Sequence, residues 1–272
     1  MEENNMDIRN IKEMPPVVPD ILEGIFDIGK SQILMYRNAG IEELPEFPIN
    51  VNIPKSQELL KDFISRVVEE LIEGYQSTND AYAICNELGW NLCRALEEQE
   101  NYIQGSLQNA CEEQADALGF FMTLLLYANV DAKDIYRWAE VTYKHLKIKN
   151  LGEVMAWGRY ILNHETCTNF IIGEPTNITP GFYEMSEISH AQERDYLFQV
   201  IESLNLARNS LKCRPWKQTQ IMTKEIEFQN YLVEAFYRYM GFLNIYKFTP
   251  SSLYVLYYKK YKLNEWRTQS GY

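Results

Sequence analysis

Two short acidic runs carry residue types and spacings suited to chemistry: Glu69-Glu70-Leu71-Ile72-Glu73 and, 40 residues after Glu73, Glu113-Gln114-Ala115-Asp116. On a helix, residues three apart share a face, so Glu70 projects with Glu73 and Glu113 with Asp116. If the two helices pack side by side, four carboxylates converge. Like charges that close raise one another's pKa or force the site open unless a cation joins them. Mg²⁺ fits the need, because it is a hard ion that takes carboxylate oxygens and keeps waters for a phosphate-bearing substrate. With 38 acidic residues in the chain, acidic pairs three apart also arise by chance and then merely solvate a helix. These two pairs lie instead beside strongly apolar stretches, Phe63 to Leu71 and Leu118 to Leu126, which an exposed helix would not carry.

The opposite charge gathers at the end of the chain. From Tyr254 to Tyr272, Lys259, Lys260, Lys262 and Arg267 stand against Glu265 alone, in a protein of net charge -12. Charge by itself leaves two readings open there, an anion-binding tail and a solvated basic helix end. The overall negative charge argues against polymeric nucleic acid as a partner, since that binding depends on many Lys and Arg contacts to phosphate.

The elements that must hold these residues are helical. Apolar residues recur at helical spacing from Asp20 through Tyr36, and Ser56 is a plausible N-cap for a helix from Gln57 to about Gln76. Further helices are expected over about 80–98, 103–129, 131–145 and 151–162. The Asn-, Thr-, Gly- and Pro-rich stretch that follows marks a linker at 166–186, dividing the chain into an N-terminal half, 1–165, with the carboxylates and a C-terminal half, 187–272, with the tail. A shift of 118 positions sets Asp116-Ala117-Leu118 over Glu234-Ala235-Phe236, Met122 over Met240 and Tyr136 over Tyr254, while Val68-Glu69-Glu70-Leu71 resembles Ile201-Glu202-Ser203-Leu204. Such self-similarity suggests an old duplication.

Five cysteines, at 85, 93, 111, 167 and 213, form no C-x-x-C pair and imply a reducing cytoplasm. The first twenty residues lack the pattern of a secretory signal, and the greasiest stretch, Phe120 to Val130, is too short for a membrane span. Histidines 145, 164 and 190 are too scattered to suggest zinc.

On these residues the chain resembles the all-α NTP pyrophosphohydrolases, which include MazG-like enzymes, dimeric dUTPases and phage-type dCTP/dUTP pyrophosphatases. Their metal signature, E-E-x-x-E followed by E-x-x-D, is matched by Glu69, Glu70, Glu73, Glu113 and Asp116. The dimeric dUTPase and dCTPase branch ends in K-N-x-x-N-x-x-R-Q-x-x-G-Y, matched here by Lys260, Asn264, Arg267, Gly271 and Tyr272, with Tyr261 and Thr268 in place of the family's Asn and Gln.

The resemblance implies an all-α helical bundle built from two degenerate repeats. It implies Mg²⁺ held by Glu70, Glu73, Glu113 and Asp116, with Glu70 orienting or deprotonating a water. Lys260 and Arg267 would neutralise charge on the phosphates, and Asn264 and Tyr272 would position the nucleotide. The second repeat carries Ser203, Leu206, Tyr231 and Glu234 at the metal positions and is not expected to bind a second cluster. The implied activity converts dUTP or dCTP to the monophosphate and pyrophosphate. From its place at a chain terminus, the tail is expected to act as a clamp, mobile until substrate orders it. A broader house-cleaning pyrophosphatase and a catalytically silent helical interaction protein are the rival readings. Monomer and homodimer both stay open, as does the base recognised.

Overall fold

The computed structural model describes residues 6–40, 44–87, 97–144, 146–163, 190–212 and 224–271. Among them are eight α-helices and no strand: α1 (Ile21–Ala39), α2 (Pro54–Glu87), α3 (Glu97–Tyr127), α4 (Ala132–Thr142), α5 (Leu151–Asn163), α6 (His190–Ser210), α7 (Glu225–Ile245) and α8 (Pro250–Ser270). A 3-10 turn, Ile8–Asn10, precedes them.

Local chemistry sets several helix ends. Asp20 caps α1 by accepting from the Leu22 N–H at 2.8 Å. Asp131 and Asp134 form a reciprocal capping box at the start of α4. Thr249 and Ser252 do the same for α8, with Pro250 in its first turn, where the missing N–H costs nothing.

Helix α2 differs from the sequence expectation at both ends. It begins at Pro54, so Ser56 lies inside the first turn and is not the cap. It also runs unbroken through Ser77-Thr78-Asn79-Asp80, the junction at which two separate helices, ending near Gln76 and starting near Asp80, are expected from the sequence. Thr78 returns its hydroxyl to the Gly74 carbonyl (3.0 Å), and Asn109 of α3 donates to the Ser77 hydroxyl (2.8 Å). Packing on α3 thus overrides propensity. The pairs Phe63 with Phe120, Gly74 with Ala110 and Ser77 with Asn109 run in opposite senses along the two helices, so α2 and α3 form an antiparallel hairpin.

One main core links both halves of the chain. Leu22 and Ile25 of α1, Leu60 and Val67 of α2, Phe121 of α3, Val154 of α5, Val200 and Leu204 of α6, Phe236 of α7 and Leu253 of α8 are all fully or almost fully buried in it. The expected linker, 166–186, lies outside the described residues. Helices α5 and α7 meet backbone to backbone: a Cβ on Gly158 would sit 1.9 Å from the Tyr237 carbonyl oxygen, and one on Gly241 would sit 2.2 Å from the Gly158 carbonyl carbon. No described helix is long and apolar enough to cross a membrane.

The C-terminal segment is more tightly held than its position in the chain suggested. Residues Asn264 to Ser270 continue α8 as regular helix, and Leu263 and Trp266 pack against Ile8 and Ile11 of the N-terminal segment. Tyr258 donates to Glu13, and Tyr254 to the Pro16 carbonyl at 3.2 Å. The described part of the tail is therefore a packed helix and not a free clamp.

Candidate metal centre

The α2/α3 hairpin brings three of the four acids together. One carboxylate oxygen from each of Glu70, Glu73 and Glu113 lies within 4.8 Å of the others, a spacing that one cation could bridge. Two of these side chains come from α2, one turn apart, and the third from the facing turn of α3. Glu69, the first acid of the run, is exposed on another face of α2.

Electrostatics at this cluster are those of crowded carboxyls. Burial, a hydrogen bond shared with Glu113, and the charges of Asp116, Glu113 and Glu73 together push the Glu70 carboxyl up to about 8. Near neutral pH, these surroundings favour the protonated form of Glu70. A divalent cation would favour the opposite state, with every carboxylate ionised. The donor set fits a hard cation: all oxygen, from two half-buried side chains and one exposed one.

Asp116 has a different partner. Its Oδ2 lies 2.6 Å from Nζ of Lys260 on α8, with the two side chains 25% and 10% exposed. Burial raises the Asp116 carboxyl, while Lys260, and more weakly Arg267, act against that rise. Lys260 and Asp116 therefore form the link between α8 and the acid helix, and Asp116 stands beside the three-carboxylate group. Lys260, Asn264 and Arg267 follow at intervals of four and three along α8, so they share a face. Tyr272 lies outside the described residues. Gly271 takes a left-handed conformation (φ 68°) and ends α8 by donating its N–H to the Arg267 carbonyl. Helix termination thus accounts for the glycine of the C-terminal motif.

Three residues on the helices around the centre were not legible as such in the sequence. Gly74 follows Glu73 directly, and a Cβ there would lie 2.7 Å from the Gln114 side-chain nitrogen and 3.4 Å from the Ala110 carbonyl, so a larger residue would displace the Gln114 side chain from between the acid helices. Tyr239 of α7 donates to the Gln114 carbonyl at 2.5 Å and pins α3 between the acids. Tyr257 of α8 has a buried hydroxyl that makes no hydrogen bond to the described residues and faces Gly29 of α1. The glycine after an acidic pair was the one available signal; the two tyrosines lie more than a hundred residues away in sequence.

Cys85 is buried and Cys111 partly buried, and burial pushes the Cys111 thiol up to about 12, away from reactive thiolate. The other three cysteines, and histidines 145 and 164, lie outside the described residues. The chain matches no protein-family model, no curated protein and no solved structure.

Proposed function

We propose that this protein hydrolyses a pyrimidine deoxynucleoside triphosphate, dUTP or dCTP, to the monophosphate and pyrophosphate. The observation that carries the reading is the meeting of Glu70, Glu73 and Glu113 on two packed helices, beside the Lys260 ion pair of α8. The C-terminal motif residues Asn264 and Arg267 lie on the same helix.

Mg²⁺ bound by Glu70, Glu73 and Glu113, with Asp116 at its edge, would polarise the phosphates and acidify a water. Water adds across the bridge between the α and β phosphates, and pyrophosphate leaves with the electron pair of the broken P–O bond. Glu70, ionised beside the metal, accepts the proton of the attacking water. Asp116 holds the Lys260 ammonium at the site, and Lys260 and Arg267 offset charge on the transferring and leaving groups. Asn264 and Tyr272 position the nucleotide.

We further infer that the bundle arose by internal duplication, in the manner of the MazG-like and dimeric dUTPase-like folds. Two contact patterns support it. Phe121 and Tyr239, which the 118-residue shift sets over each other, stack with ring centroids 4.9 Å apart, as expected for equivalent residues meeting on a pseudo-twofold axis. Arg66 lies over the Phe120 ring at 5.6 Å, and the residues at the corresponding places, Gln199 and Arg238, are bonded at 3.0 Å.

The test is product analysis with purified protein, Mg²⁺ and a panel of dUTP, dCTP, dTTP, dATP and dGTP. Pyrophosphate is expected from dUTP or dCTP. Orthophosphate as first product, or no turnover of any triphosphate, overturns the reading; equal turnover of all five points to the house-cleaning alternative.

A further inference from the structure

A cleft of about 630 Å³ opens between α4 and α7, lined by none of the acids of the candidate metal centre. That volume lies within the range typical of small-molecule sites, roughly 300–1,000 Å³. Its walls are not arbitrary positions. Shifted by 118 residues, Glu113, Asp116 and Lys260 fall on Tyr231, Glu234 and Thr142, and all three line this cleft. The cleft is thus the counterpart, in the second half, of the space between α3 and α8.

Its chemistry has changed in one direction. The Glu234 carboxylate is engaged by the Arg238 guanidinium at 2.8 Å, and another nitrogen of Arg238 reaches Gln199 of α6 at 3.0 Å. A built-in cation therefore stands where a metal would otherwise be needed, and Tyr231 and Ser203 replace two of the acids. Such a site has no cage for a metal–polyphosphate complex. What remains on the walls is aromatic and amide surface: Trp138 and Tyr231 offer rings, and Asn230 offers paired donor and acceptor. Glu234 and Asp134 are balanced by Arg238 and Arg137, so the surroundings carry no strong net charge. Rings, amides and balanced charge suit an uncharged polar heterocycle and not a polyanion.

We propose that the α4/α7 cleft is a second, metal-independent binding site that takes a nucleoside without its phosphates. The proposal rests on the duplication inferred above and stands apart from hydrolysis at the acid centre. Stacking against the rings and hydrogen bonds to the amide hold the ligand, and no divalent cation takes part.

The test is calorimetric titration with 2′-deoxyuridine and 2′-deoxycytidine in EDTA, on the full chain and on three variants. Asn230→Trp and Thr142→Trp each fill the cleft from opposite walls at exposed positions, and Glu73→Gln disables the acid centre. Circular dichroism melting confirms that each variant folds. Saturable binding in EDTA is expected for the parent and for Glu73→Gln, weakened about tenfold or more in both tryptophan variants, a loss of roughly 1.4 kcal/mol. Absence of binding at millimolar nucleoside overturns the proposal. So does binding that both tryptophan variants leave intact, which would place the nucleoside elsewhere. Either failure leaves the hydrolysis reading untouched, because that reading is judged on Mg²⁺-dependent pyrophosphate release.

Discussion

Nζ of Lys260 lies 2.6 Å from Oδ2 of Asp116, joining the last helix of the chain to the helix that carries half of the acidic signature. Both side chains are largely buried, and the Asp116 carboxyl is raised by burial while Lys260 acts to lower it. Removing one partner leaves the other charge poorly solvated. Lys260→Met should therefore destabilise the fold by about 3 kcal/mol, and Asp116→Asn in the same chain should recover part of that loss. A double-mutant cycle by urea unfolding measures the coupling. Additive single and double effects would show that the pair is a contact of little consequence.

Glu73→Gln and Glu113→Gln each take one oxygen ligand from the three-carboxylate group. Turnover of dUTP or dCTP should fall about a hundredfold or more, with the helical dichroism retained. Neutralising one acid also lessens repulsion, so the metal-free variants should melt no lower than the parent. Early melting with proportionate activity would assign these acids to structure.

Besides Asp116, two carboxyls raised by burial shape the pH dependence of the metal-free protein: Glu70, and Glu193 on α6. Glu70 moves from 4.5 to about 8 and Glu193 from 4.5 to about 7, in both cases chiefly by burial. Between the two values the unfolded chain has released a proton that the folded chain retains, so stability falls as pH rises. The fall runs from about 4.5 to about 7 for Glu193 and to about 8 for Glu70. Glu70→Gln should flatten the upper part of that curve. Mg²⁺ binding at pH 7 should release on the order of one proton, read by calorimetry in buffers of different ionisation enthalpy. Binding heats independent of the buffer would place Glu70 outside the metal site.

Gly158→Ala tests the close approach of α5 to α7. The added methyl would fall 1.9 Å from the Tyr237 carbonyl oxygen, which belongs to helix backbone and cannot swing aside. Destabilisation of about 3 kcal/mol or more is expected, against the slight gain Ala brings to an ordinary helix position. A neutral substitution would mean that the two helices separate easily.

The described tail is held by packing, so truncation should affect folding as well as catalysis. Trp266→Ala uncovers Ile8 and Ile11 and should cost about 2 kcal/mol in thermal unfolding. An unchanged melting temperature would return α8 to the status of a loosely docked end.

Periodicity determined much of this fold. Apolar spacing placed α1, α4 and α5 to within a few residues, while α3 begins six residues before its expected start, and the caps of α1 and α4, Asp20 and Asp131, emerged only in the folded chain. The face shared by Glu70 and Glu73 was equally local, because a residue spacing of three fixes it once a helix forms. Contacts decided the remainder. The unbroken run of α2 past Ser77 depends on Asn109 across the hairpin, and no local preference could announce that bond. The division of the acids into a three-carboxylate group and a separate Asp116–Lys260 pair depends on where α8 lies, 144 positions further along the chain. The packed state of α8 depends on Ile8 and Ile11 at the other end of the chain. Hydrophobic spacing constrains which face of a helix is buried, but not which helix covers it; the choice among partners is made by shape and charge at contact, and those exist only in the folded chain.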